Sequence, residues 1–292
     1  MAKSKRATLR AQWLGQLLRQ IREDVGMTAT EAAEYIQRDQ STLSRFESGT
    51  YPIRRPDVSA LLDLYGVDDK RQREALLQLA THQWQKGWWD KYAAEVENWF
   101  VDYVWLEDRA EEMRTFDLAP IHGLLQTPAY AEAQIRAVSP DAGESQVKRW
   151  LDLRIKRQEV LDRDKPLKLT CVMDESVLRR PIGGADVMAD QLARLRSAAK
   201  KAHIKIHVLP LASGAHASPE GAFQLLRMAD PFPEVGYVES PAGALYIESA
   251  DAERLAARYD RLYQAALSES ASVKLISAAE KEFRGDDRSS RT

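Results

Sequence analysis

One cysteine, Cys171, stands in 292 residues, so no internal disulfide can form and a reducing, cytoplasmic setting is expected. No run of 18 apolar residues occurs, which excludes an ordinary membrane-spanning helix, and the N-terminus lacks the apolar core of a secretion signal. Internal repeats and heptad patterns are missing. So are the phosphate-cradling patterns G-x-x-x-x-G-K and G-x-G-x-x-G, the nucleophile pattern G-x-S-x-G, and any readable Ser-His-Asp arrangement. Cys171 itself lies in an apolar stretch, Leu167 to Met173, and reads as a core thiol in a strand rather than a nucleophile.

Net charge is only −2, yet the charge is unevenly spread. From Met1 to Arg22 there are basic residues (Lys3, Lys5, Arg6, Arg10, Arg19, Arg22) and no acidic one. Arg38, Arg45, Arg54 and Arg55 follow, and the excess acid lies beyond them. A basic arm of this kind suits contact with phosphates or entry into a minor groove.

The most informative stretch runs from Met27 to Gly49 and reads as helix, tight turn, helix. Thr28 with Glu31 makes a capping box that starts the first helix. Ala33 is small where the second helix must cross the first, and Ile36, Leu43 and Phe46 fall at helical spacing to share one core. Asp39 can cap the second helix and Gly49 can end it. Gln40, Ser41, Ser44 and Arg45 are then left on its outer face, as short or planar hydrogen-bonding side chains of the kind that read base edges.

The stretch resembles the helix-turn-helix of the xenobiotic-response-element, or phage-repressor, type, closest over Ser41-Thr42-Leu43-Ser44-Arg45-Phe46-Glu47-Ser48-Gly49. The family usually carries Gln where this chain has Ala29, and often Gly where it has Gln37, which must then adopt a positive φ. The resemblance implies base contacts by Gln40, Ser41, Ser44 and Arg45, and backbone contacts by Thr28, Arg38, Thr42, Arg54 and Arg55. It also implies double-stranded DNA as partner and a homodimer reading two half-sites.

Helices are expected from about Thr8 to Asp24, across the motif, from Pro56 to Tyr65, and after Asp68 or Asp69 through Leu76, Leu77 and Ala80. That makes an all-α, five-helix repressor-type domain over residues 1–82. An aromatic-rich helical junction follows over 83–110, with Trp84, Trp88, Trp89, Tyr92, Trp99, Phe100, Tyr103 and Trp105. It reads as core of a domain junction, with a ligand cage or partner anchor including Trp88 and Trp89 as the alternative.

Residues 111–284 read as an α+β domain with one mostly antiparallel or mixed sheet, and 285–292 as a disordered tail. Strands are expected at Glu112 to Leu118, Leu167 to Met173, Ile204 to Leu209, Phe223 to Met228, Val235 to Val238 and Leu245 to Ile247. Helices are expected at Pro128 to Ala137, Gln146 to Leu161, Asp186 to Lys201, Ala250 to Leu267 and Val273 to Phe283. The stripe Leu255, Tyr259, Leu262, Ala266 can pack on its own sheet or on a partner.

Gly123-Leu124-Leu125-Gln126-Thr127-Pro128-Ala129-Tyr130-Ala131 is similar to a signature of the C-terminal domain in actinobacterial WhiJ-like regulators, with His122 where that group has Pro. This resemblance implies a domain that senses a small ligand or a small protein encoded nearby, with His122, Gln126 and Tyr130 as candidate contacts. His203 and His207 would share a strand face too far apart to chelate without a third ligand, for which His216 is the nearby candidate. Gly183-Gly184 lacks a phosphate-binding context, and Asp174-Glu175 reads as a helix cap before it reads as catalytic acids. No cofactor, metal or reaction is therefore expected. The expected function is a cytoplasmic, nucleoid-associated transcriptional regulator with a sensing domain. The alternative is an antitoxin-like module that holds a neighbouring gene's product and autoregulates its operon.

Overall fold

Thr8 accepts the Ala11 amide at 3.3 Å and so opens α1, Leu9–Asp24, whose stripe of Leu9, Trp13, Leu14 and Leu18 is buried. The computed structural model describes residues 8–82, 87–93, 95–229 and 232–289. Helices α2 (Ala29–Tyr35), α3 (Gln40–Glu47), α4 (Arg55–Leu64, with Pro56 in its first turn) and α5 (Lys70–His82) complete the expected five-helix arrangement. Ala33, Ile36, Leu43 and Phe46 are all buried, as their spacing requires. Gln37 takes φ 55°, the only positive value at a non-glycine position among the described residues.

Two glycines set how closely α1 can lie on α3. A Cβ on Gly15 would stand 2.4 Å from the Phe46 carbonyl oxygen and 2.5 Å from that of Glu47. One on Gly49, at φ +69°, would stand 2.4 Å from the Gln12 amide nitrogen. Neither contact can be relieved by turning a side chain, because the opposing atoms are backbone.

Trp89, Tyr92, Tyr103 and Trp105 of the aromatic segment are core in the N-terminal unit, while Trp88, Trp99 and Phe100 are half-buried. A 3₁₀ turn over Trp88–Tyr92 buries Trp89 and Tyr92, and helix α6, Asn98–Arg109, buries Tyr103 and Trp105. Trp105 meets Trp13 edge-on at 6.0 Å, and the Arg10 guanidinium lies over the Trp105 ring at 5.6 Å. The Leu9 amide donates to Asp102 Oδ2 at 3.1 Å. Trp84 lies outside the described residues. The chain divides into two compact units after Trp105, within α6.

In the second unit the order is β1 (Glu112–Asp117), α7 (Pro128–Val138), α8 (Glu144–Arg157), β2 (Lys168–Asp174), α9 (Ser176–Arg179), α10 (Ala185–Ala198) and β3 (Ile204–Leu209). The chain continues through β4 (Phe223–Arg227), β5 (Val235–Ser240), β6 (Gly243–Ile247), α11 (Ser249–Ala265) and α12 (Glu269–Ser289). All six expected strands are present, in one mixed sheet of order β3-β2-β1-β4-β5-β6. Helical crossovers make β1, β2 and β3 parallel, while short connections make β4, β5 and β6 an antiparallel meander. The α11 stripe packs on its own sheet: Tyr259 and Leu262 join Phe116, Val172, Leu209, Phe223 and Leu225, with Leu255 and Ala266 at the margin. The Tyr259 hydroxyl donates to the Thr170 carbonyl at 3.0 Å. Helix α12 runs on to Ser289, into the stretch whose composition reads as a polar tail.

Gly15→Ala tests the α1–α3 approach. Alanine ordinarily stabilises a helix interior, but here its methyl meets backbone, and we expect a loss of about 1–3 kcal/mol, read as a lower Tm in thermal unfolding.

Candidate nucleic-acid interface

The helix-turn-helix is held at each helix start by side chains close in sequence. The Thr28 amide donates to Glu31 Oε2 at 2.8 Å and the Glu31 amide donates to Thr28 Oγ1 at 3.2 Å, a reciprocal capping box. At α3, Asp39 Oδ1 accepts the Thr42 amide at 2.7 Å and the Ser41 hydroxyl at 2.5 Å, while Oδ2 accepts the Thr42 hydroxyl at 2.9 Å. These bonds, the Ser41 hydroxyl foremost, hold the Asp39 carboxyl down at about 2, so the cap is ionised across the neutral range.

Gln40, Ser41, Ser44 and Arg45 are all exposed along α3 while Leu43, Phe46 and Glu47 face inward. The structure thus brings the four expected base-reading residues onto one face. Arg45 lies along its own helix: Nη2 donates to Thr42 Oγ1 at 3.0 Å, Nε donates to the Ser41 carbonyl at 3.3 Å, and the guanidinium sits 5.9 Å from the Tyr51 ring. The Arg45 carbonyl accepts from the Ser48 hydroxyl, the Thr50 hydroxyl and the Tyr51 amide, which together close the helix end. Tyr51 is 56 % exposed and escaped the sequence reading. Its signal was an aromatic two residues past the terminating Gly49.

The expected backbone-contact residues are more mixed. Thr28, Arg38, Arg54 and Arg55 are exposed. Arg38 lies 3.6 Å from Asp57 and Arg55 lies 3.7 Å from Glu74, surface pairs loose enough to open toward a phosphate. Thr42 is half-buried, with its hydroxyl between Asp39 and Arg45. Two members of the basic arm are structural. Arg10 is buried beside Trp105 and Asp102, and Arg22 is buried against Glu47. Arg19 pairs with Glu23 at 2.8 Å, and Lys3, Lys5 and Arg6 lie outside the described residues.

The Arg22 pair is bidentate, Nε to Oε1 at 2.7 Å and Nη2 to Oε2 at 3.0 Å, and Nη1 donates to the Met27 carbonyl at 2.7 Å. One guanidinium therefore ties α1, the loop before α2, and the inner face of α3.

In the second unit His122, Gln126 and Tyr130 are brought together beside the Ile121 backbone. The Tyr130 hydroxyl accepts the Ile121 amide at 3.1 Å, and Gln126 Nε2 donates to the Ile121 carbonyl at 2.6 Å. Gln126 Oε1 accepts from Arg154 at 3.0 Å, Gln158 donates to the Gly123 and Gln126 carbonyls, and Gln191 donates to the Leu125 carbonyl. All three are buried, and burial with the nearby Arg157 charge presses His122 down to about 3, leaving it neutral. Arg157 is itself bidentate to the buried Glu107, both contacts at 2.7 Å. Among the described residues no group of three His, Cys, Asp or Glu side chains could hold a metal. The His203 and His207 rings each bond a backbone carbonyl, Leu161 and Leu267, at 2.9 Å. Asp174, one residue ahead of the α9 N-cap Glu175, accepts the Ser176 amide at 2.9 Å.

Two expectations follow. Glu47→Ala leaves the Arg22 guanidinium buried without its counter-charge, and we expect chemical denaturation to show a loss of about 3–5 kcal/mol. Asp117, at the end of β1 with the Thr115 hydroxyl donating to it at 2.7 Å, is pushed up to about 7 by burial from an ordinary 3.8. Folding therefore favours its neutral form. The stability this contributes is complete below pH 4 and lost as pH rises through 7. Asp117→Asn is expected to flatten the stability profile between pH 4 and 8, and an unchanged slope would place the titration elsewhere.

Residues 13–76 match the family described as "Helix-turn-helix domain", and residues 100–278 match that described as "Domain of unknown function (DUF5753)". No curated protein and no solved structure matches the chain. The second match covers more than half of the 292 residues, and so the chain belongs to the DUF5753 family, with a helix-turn-helix domain at its N-terminus.

Proposed function

We propose that this protein is a sequence-specific transcriptional regulator in which α3 enters the major groove and the second unit senses an effector or a small protein partner. The observation that carries the reading is the outer face of α3. Four hydrogen-bonding side chains are exposed on a helix whose start, end and inner face are each held by named bonds. Such a helix meets DNA without reordering its backbone, so little binding energy is lost to preorganisation. Arg45 is assigned to a guanine edge, Gln40 to an adenine edge, and Ser41 and Ser44 to bases or adjacent phosphate. Arg45 would leave Tyr51 and its own helix to do so, exchanging exposed contacts for a bidentate one. Thr28, Arg38, Arg54 and Arg55 are assigned to the DNA backbone, where they set register without reading sequence. A dimer would present two α3 helices to half-sites about 34 Å apart.

For the second unit, the GLLQT segment supports a grouping with WhiJ-like regulators. Because Gln126 and Tyr130 bond the Ile121 backbone and His122 accepts the Leu124 amide, we assign them to holding the domain together. Recognition of a partner then falls to exposed surface.

Selection from a random duplex pool by the full chain, followed by fluorescence anisotropy on the enriched site, tests the reading. A palindromic consensus is expected. Arg45→Ala should lose about 1–3 kcal/mol at one base position while non-specific binding persists. Equal loss on every sequence would remove the base-contact assignment, and no enrichment at all would remove the regulator reading.

A further inference from the structure

The leading end of α3 carries a hydrogen-bond polarity that Asp39 imposes. The Asp39 carboxyl is ionised across the neutral range and so can only accept. Each hydroxyl bonded to it must therefore donate. The Ser41 hydroxyl donates to Oδ1 at 2.5 Å, and the Thr42 hydroxyl donates to Oδ2 at 2.9 Å. A hydroxyl has a single hydrogen, and in both residues it is spent on the same carboxylate. Thr42 then uses its oxygen to accept Arg45 Nη2 at 3.0 Å, as an oxygen left with lone pairs alone must. Ser41 is exposed on the outer face.

What Ser41 offers outward is therefore an acceptor oxygen beside a full negative charge. Turning its hydrogen toward a ligand would give up a charge-assisted bond and set two acceptor oxygens against each other. Such a pair is wrong for a phosphate, which presents acceptors and negative charge of its own. It is wrong too for the guanine edge, with acceptors at N7 and O6, and for the thymine edge, with an acceptor at O4 and a methyl group. Cytosine N4 and adenine N6 are amino groups that donate into the major groove. Those are the edges that fit.

We propose that Asp39 and Ser41 together form an acceptor-only patch that selects an exocyclic amino group, on cytosine or adenine, at one position of the DNA strand it faces. Asp39 is then a specificity-determining residue, acting by fixing the polarity of Ser41. This role rests on the DNA reading above and narrows it, since Ser41 goes to a base edge and not to phosphate.

The test is selection from a random duplex pool by the full chain, then anisotropy titration of wild type, Asp39→Asn and Ser41→Ala on the enriched site. Asparagine caps a helix about as well as aspartate, and its amide can donate to Ser41 and free the Ser41 hydrogen to face DNA. Ser41→Ala leaves the cap in place, so both variants are expected to melt close to wild type. Wild type should fix one position as adenine or cytosine, and Asp39→Asn should admit guanine or thymine there, losing a preference of roughly five- to ten-fold. Ser41→Ala should lose the preference at the same position, and the double variant should lose no more than Ser41→Ala alone. Purine in place of adenine, or a pyrimidinone in place of cytosine, deletes only the amino group and tells the two bases apart. Wild type should weaken on that analogue and Ser41→Ala should not. A consensus that Asp39→Asn leaves unchanged at every position would overturn this role and leave the DNA reading standing. Guanine or thymine at the position that Ser41→Ala relaxes would do the same, as would effects of the two variants that simply add. No enrichment by wild type would remove both.

Discussion

Arg22 and Glu47 meet inside the N-terminal unit, where each is largely shut away from water. Two charges in such a place are tolerable only as a pair with good geometry and with their remaining hydrogens satisfied. The pair meets both conditions through its two parallel bonds and the third bond to the Met27 carbonyl. Because Glu47 is the last residue of α3 and Arg22 lies near the end of α1, the bond sets the azimuth of α3 about its own axis. That azimuth decides which side chains face solvent. With Glu47, Leu43 and Phe46 turned inward, Gln40, Ser41, Ser44 and Arg45 have nowhere to point but out.

The same economy governs the glycines. Gly15 and Gly49 let α1 lie so close to α3 that only hydrogen fits between the backbones. Close approach brings Arg22 into reach of Glu47, and the ion pair in turn keeps the approach from relaxing. Capping at Thr28 and Asp39 adds local order but does not orient one helix against another, so caps and crossing contacts do separate work. In the second unit the corresponding role falls to buried polar contacts around Ile121 to Tyr130, with Glu107 and Arg157 beside them. There Arg154 of α8 and Gln191 of α10 donate to Gln126 and to the Leu125 carbonyl, and so tie the segment to both helices.

Much of this was legible along the chain. The capping box, the Asp39 cap, the buried positions of Ile36, Leu43 and Phe46, and all six strands follow from spacing and turn chemistry that act within a few residues. Gln37 shows the same locality, since a tight turn between two helices demands a left-handed residue whatever occupies the place. The readings that needed revision concern partners distant in sequence. Arg10 and Arg22 count as basic-arm residues until Asp102 and Glu47 are brought beside them. The bond between Gln126 and Arg154 is likewise seen only in the folded chain.

Which helices and strands form was therefore determined by the sequence itself, because hydrogen-bonded caps, turns and apolar periodicity are set by neighbours on the chain. What each polar side chain is for was decided only in the folded state. A charged or amide group is equally content with water, a phosphate or a buried partner, and the choice depends on which groups the packing brings within three ångströms. The place of β6 belongs to the same class: the strand is plain from residues 243–247, but its being last in the sheet is a property of topology alone.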